Sequence, residues 1–218
     1  MSLFANLFVC VCAFIGFVYG IVVLIKPNRA VFTQMITFAV GCLGFGKLYQ
    51  IIRIITGGEL VDKFQLGVLG VIGSLVFLFS ANFGAMDSLA DDGSKVLRKY
   101  RLIALSAPAC VVALYVVFML FTDYPLLAKI MSGVIALFSG LSSYYNLKHL
   151  ILPDIEFGVI ECLRPYNVLA LVYSLLSLIE TFTMLRSAAA TNIVSVLIGI
   201  TALLIIPTVA RGYKKWIT

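Results

Sequence analysis

The sequence predicts an all-α integral membrane protein with seven transmembrane helices, its N-terminus outside and its C-terminus cytoplasmic. Three observations predict it. Of the 218 residues, 62% are hydrophobic and 12% charged, whereas soluble domains run near one half and one quarter. Seven apolar stretches each reach the roughly 20 residues that a bilayer crossing needs. Lys and Arg gather beside alternate ends of those stretches, the asymmetry that orients membrane proteins.

The stretches are expected at residues 3–25, 30–55, 64–86, 102–121, 126–147, 165–185 and 190–210, forming one transmembrane domain over residues 1–218. The first lacks the basic start and small-residue cleavage site of a signal peptide, so it is expected to be retained. Lys26-Pro27-Asn28-Arg29 breaks the chain before the second, and Gly57-Gly58 ends that one. A short polar connection at residues 59–63 leads to the third, where Gly67, Gly70 and Gly73 recur every third residue. Such small residues let a neighbouring helix approach closely.

A charged loop follows at residues 87–101. Asp91-Asp92-Gly93-Ser94 within it has turn chemistry, and Asp87, Asp91 and Asp92 lack the alternating spacing of a calcium loop. They are expected to be solvated. Pro108 lies in the fourth stretch, and Thr122-Asp123-Tyr124-Pro125 closes it. The fifth becomes polar toward its end, with Ser139, Ser142, Ser143, Tyr144, Tyr145 and Asn146. Residues 153–163 are too short and too charged to cross and are expected along the interface. Pro165 opens the sixth stretch, as a helix start tolerates, and Pro207 is expected to kink the seventh.

Counting Lys and Arg by side sets the orientation. Lys26, Arg29, Lys95, Arg98, Lys99, Arg101, Lys148, Arg164, Arg211, Lys214 and Lys215 share one side; Arg53, Lys63, Lys129 and Arg186 share the other. The richer side is cytoplasmic, and a multi-pass protein of the plasma membrane is expected. The net charge of +6 therefore orients the chain and attracts anionic headgroups; no nucleic acid is expected as a partner.

Seven crossings can be built as three, one and three. Lys26-Pro27-Asn28 before the second stretch resembles Arg164-Pro165-Tyr166 before the sixth, and Val71-Ile72-Gly73 resembles Leu197-Ile198-Gly199. The second and sixth stretches run the same way, so such a repeat would be parallel. This 3+1+3 plan is known from certain sugar and vitamin carriers, whose signature residues do not occur here; the likeness is one of architecture.

Charge inside the apolar stretches marks the candidate site. A lysine or acid at a helix centre costs about 2.5–3.5 kcal/mol on insertion scales and usually faces the bundle interior. Lys47 lies six residues inward of Arg53, and Glu180 six inward of Arg186, about 9 Å in each case. Equal depth makes Lys47 and Glu180 natural partners. Gln50 and Arg53 continue the Lys47 face, and Tyr173 and Ser177 continue the Glu180 face, by helical spacing. These six residues are expected to line a small polar cavity open to the outside, with the pair at its base. The alternative is that Lys47 snorkels and Glu180 makes a structural ion pair with it or with an arginine.

Two functional classes follow. One is a carrier of a small polar or zwitterionic solute; the other is a seven-helix receptor or sensor, or a scaffold subunit, acting through a partner membrane protein or a second copy. Enzymatic activity, a metal and a cofactor are not expected. His149 is the single histidine, Cys162 is its nearest cysteine, and their separation carries no catalytic signature. The five cysteines, Cys10, Cys12, Cys42, Cys110 and Cys162, form no disulfide pattern.

Overall fold

The computed structural model describes residues 2–26, 29–57, 66–123, 125–153, 158–184 and 186–217. Among them are seven helices long and apolar enough to cross a membrane: α1 Leu3–Leu24, α2 Val31–Ile55, α3 Gly67–Ala90, α4 Arg98–Leu120, α5 Leu126–Ile151, α6 Val159–Thr183 and α7 Ala188–Ile217. The described residues include no strand, and the helices fit a polytopic membrane protein. Pro27, Asn28, Gly58, the connection at residues 59–63, Tyr124, residues 154–157 and Leu185 lie outside the described residues.

Packing closes six helices into a ring. α1 packs on α2, α2 on α3, α3 on α5, α5 on α6, α6 on α7, and α7 back on α1. α4 packs on α5, outside the ring. At one end Ser2 donates its backbone N–H to Asn192 Oδ1 at 2.9 Å, joining the starts of α1 and α7; this is the N-terminal face. At the other, C-terminal face, the Arg29 guanidinium sits 4.7 Å from the Tyr213 ring centre. The core fills with Phe32, Ile36, Leu43, Leu75, Leu78, Ile198, Ile205 and Ile206, all buried.

Several helix limits differ from expectation, each for a local reason. α6 begins at Val159 rather than 165, because Val159, Ile160 and Leu163 are buried where Gly212 of α7 lets the Cys162 carbonyl come close. That tertiary contact outweighs the charged, proline-bearing composition, and residues 159–163 form the first turn of a long helix instead of an interfacial segment. Gly158, at φ +63°, supplies the left-handed entry. α4 starts at Arg98 and is interrupted at Leu105. Pro108 has no N–H and crowds the carbonyl four residues back, Ala104, so the break falls there. α3 continues to Ala90 through a widened π-type turn, Ala81–Met86, which shortens the charged loop to residues 91–97. α7 runs without interruption past Pro207 to Ile217.

The expected glycine contact is present between α2 and α3. A Cβ on Gly70 would lie 2.5 Å from the Gly46 Cα and 2.6 Å from the Cys42 carbonyl oxygen. One on Gly46 would lie 2.7 Å from the Gly67 carbonyl oxygen. The two backbones touch at the residue before Lys47, which fixes where that lysine leaves its helix.

Candidate functional site

Lys47 and Glu180 meet. The Lys47 ammonium donates to Glu180 Oε1 at 2.7 Å, with Lys47 1% and Glu180 6% exposed. The bond reaches from α2 to α6, which stand opposite one another in the ring. Ser195 of α7 donates its hydroxyl to the same carboxylate oxygen at 2.6 Å. Three helices are thus joined at one atom, toward the N-terminal face. Snorkelling is not what Lys47 does, and Arg186 is engaged elsewhere: its guanidinium donates to the Phe121 carbonyl at 2.7 Å.

The other four stripe residues divide. Tyr173 is buried and donates its hydroxyl to Ser74 Oγ of α3 at 2.8 Å. Ser177 is buried and donates to the Tyr173 carbonyl, one turn back, at 2.9 Å. Gln50 is 4% exposed and lies against Gly67, where an added Cβ would fall 2.4 Å from its Cγ; its Oε1 has no hydrogen-bond partner. Arg53 stands in the last turn of α2, half-buried, about 9 Å along the axis from Lys47. Five of the six side chains are buried, so in this conformation the stripe is packed shut where an open cavity was expected. The Tyr173–Ser74 bond and the Gln50–Gly67 contact close it.

A second charged network, unforeseen from sequence, lies toward the C-terminal face. The Lys148 ammonium of α5 donates to Asp87 Oδ1 at 2.6 Å and pairs with Asp91 Oδ2 at 2.7 Å. His149 Nε2 lies 3.2 Å from the same Asp87 oxygen, and Arg101 Nε lies 3.8 Å from Asp91. The Asp91 side chain is 4% exposed and His149 1%, so neither is the solvated group that loop composition suggests. His149 belongs to the last turns of α5 and Cys162 to the first of α6. Among the described residues, no group of three His, Cys, Asp or Glu is arranged to hold a metal.

Burial by itself would raise the Asp91 carboxyl, but the Lys148 and Gly93 hydrogen bonds, with the Lys148 and Arg101 charges, hold it below its ordinary value. A carboxyl depressed on folding contributes stability above its unfolded pKa, near 3.9, and loses it as pH falls through the folded value. Thermal stability in detergent is therefore expected to decline between about pH 5 and pH 3, with Asp91→Asn flattening the decline. An unchanged slope in that variant would remove Asp91 as the cause.

Between the two networks runs a polar ladder. Asn82 donates to Asn146 Oδ1 at 2.8 Å, and Asn146 to the Ser142 carbonyl at 2.8 Å. Ser174 donates to Ser142 Oγ at 3.0 Å, and Ser139 to the Ser174 carbonyl at 2.7 Å. This joins α3, α5 and α6, as the polar end of the fifth stretch hints. Sequence reasoning missed Ser74 and Ser195, because a lone serine in an apolar helix has no distinguishing context. It missed Lys148 too, although Lys148 follows the Ser-rich end of α5 and matches the aspartates in membrane side.

Several polar atoms buried near the ladder are left without partners: Asn82 Oδ1, Ser143 Oγ, His149 Nδ1, the Tyr166 hydroxyl and both amide atoms of Asn167. Each such group costs about 1–3 kcal/mol when nothing satisfies it. Comparison of the chain with protein-family models, curated proteins and solved structures finds no match.

Proposed function

We propose that this chain is a plasma-membrane carrier for a small polar solute, with its N-terminal face outside, its C-terminal face cytoplasmic and its six ring helices arranged as a parallel 3+1+3 pair of units. The observation that carries the reading is the buried Lys47–Glu180 bond across the ring. A charge pair inside a bilayer is expensive, and here it ties together helices on opposite sides of the polar interior. The Lys148–Asp87–Asp91 network ties α3 to α5 at the other end. Two ion networks at opposite ends, with a hydrogen-bonding ladder between them, give a carrier two latches to open in turn.

The ring order favours the 3+1+3 plan. Exchanging helices 1, 2 and 3 for 5, 6 and 7 leaves the cyclic order unchanged, and α4 stands outside it as a connecting crossing. Each unit then contributes one side of the Lys47–Glu180 latch.

Uptake into proteoliposomes tests the reading. A panel of urea, glycerol, glucose, uracil, glycine and betaine is expected to contain a solute taken up saturably. Glu180→Gln keeps an acceptor for Ser195 but removes the charge on Lys47's partner. It is expected to cut the initial rate by about tenfold or more, the equivalent of one charge-assisted hydrogen bond. The closed packing of the stripe also suits a receptor, sensor or scaffold subunit. Saturable binding with no flux of any panel member would select that reading over transport.

A further inference from the structure

Among the described residues, six of the eight buried side-chain atoms that lack a hydrogen-bond partner belong to five residues in the C-terminal half of the bundle: Asn82, Ser143, His149, Tyr166 and Asn167. The Tyr166 hydroxyl lies beside the Asn82 amide, and Asn82 is bonded to Asn146 of α5. The bonds from Ser174 and Ser139 fix how α6 runs against α5. Asn167 is seven residues before Ser174, two helical turns and about 10 Å, which brings it level with Asn146 and His149. Ser143 follows Ser139 by four residues, one turn along the α5 face that bonds to α6. The five residues therefore converge where α3, α5 and α6 adjoin, each no more than 1% exposed.

Their chemistry is specific in kind. Asn82 Oδ1 accepts, the Asn167 amide both donates and accepts, and the Tyr166 and Ser143 hydroxyls do either. None of these four carries charge. The charges nearby are already matched, Lys148 by Asp87 and Asp91, and Arg101 by Asp91. A charged solute would meet no free counter-charge from these groups, whereas an uncharged one bearing hydroxyls or amides would satisfy them. We infer that the junction of α3, α5 and α6 is a binding site for an uncharged, hydrogen-bonding small molecule, separate from the Lys47–Glu180 latch. The inference narrows the solute of the proposed carrier and rests on that reading for flux alone; binding tests the site by itself.

The test uses the full chain in detergent with urea, glycerol, glucose and uracil as uncharged probes, and glycine, glutamate and lysine as charged ones. Tyr166→Phe removes a hydroxyl whose neighbour, the Asn82 amide, keeps its own bond to Asn146, and Asn167→Leu removes an amide without a hydrogen-bond partner. Both variants are expected to fold at least as stably as the parent. At least one uncharged probe is expected to raise the parent's melting temperature in a saturable way, while the charged probes do not. Its affinity should fall about tenfold or more in each variant, the loss of one to two hydrogen bonds. Lack of binding by every uncharged probe would mean that the site holds water alone, and would overturn the inference. So would a shift undiminished in both variants, or a preference for the charged probes. In proteoliposomes the two readings separate: binding sensitive to Tyr166 and Asn167 without flux overturns the carrier and leaves the site standing. Flux insensitive to both residues overturns the site and leaves the carrier.

Discussion

Lys47→Met is expected to destabilise the protein by about 3–5 kcal/mol, because it strands the Glu180 carboxylate in the interior with Ser195 as its remaining donor among the described residues. Glu180→Leu alone is expected to cost less. The lysine it strands has a flexible stem and sits about 12 Å from the end of α2, within partial reach of the surface. The double variant Lys47→Met/Glu180→Leu should recover most of the loss, since replacing a buried ion pair by apolar groups of similar volume is often neutral or stabilising. Ser195→Ala should fall between, at about 1.5–3 kcal/mol for a bond to a charged group, or less where the unfolded chain in detergent finds substitutes. Thermal or denaturant unfolding of the parent, the two single variants at Lys47 and Glu180, and their double closes the cycle. Additivity of the two single changes would dissolve the coupling and, with it, the latch.

Gly70→Ala is the second large effect. Its methyl would arrive 2.5 Å from the Gly46 Cα and 2.6 Å from the Cys42 carbonyl oxygen. Both are backbone atoms, so no side chain can rotate away and the helices must separate. Overpacking of this kind costs about 1–3 kcal/mol, and the separation would draw Lys47 away from Glu180, adding part of the pair's energy. Gly84→Ala is the control, because an added Cβ there meets nothing within 4 Å. If the two variants unfold alike, the α2–α3 contact does not position the lysine.

How far these features can be read in the sequence depends on how local their causes are. Seven helices are legible because crossing a bilayer takes a long apolar run, and such runs survive errors of a few residues. The Lys47–Glu180 pair is legible because a charge in such a run has few reasons to be there and depth can be counted from the helix ends. The start of α6 is not legible. Its first turn is held by Gly212, some 50 residues further on, while Pro165 and the neighbouring acids argue locally for a break. Asp91 misleads in the same way: Asp-Asp-Gly-Ser has turn chemistry, and the turn is real, with the Gly93 N–H bonded to Asp91 Oδ1 at 3.0 Å. What places that side chain out of water is Lys148, 57 positions away. The closure of the Gln50–Tyr173 stripe depends on Ser74 and Gly67, which no spacing rule links to it.

The Lys47–Glu180 bond joins residues 133 positions apart, and that separation matters before the protein is complete. At about 5–20 residues per second, synthesis needs roughly 7–27 s to reach Glu180 after Lys47 has been made. Throughout that interval α2 carries an ammonium group whose partner in the folded protein has not yet been made. The Gly46–Gly70 contact forms far earlier, since α3 follows directly. Close docking of α2 on α3 would hold the lysine turned away from lipid until α6 arrives. Biogenesis therefore places its own demand on those glycines, one that stability measurements on the finished protein would not reveal and that pulse-labelling of nascent Gly70→Ala chains would.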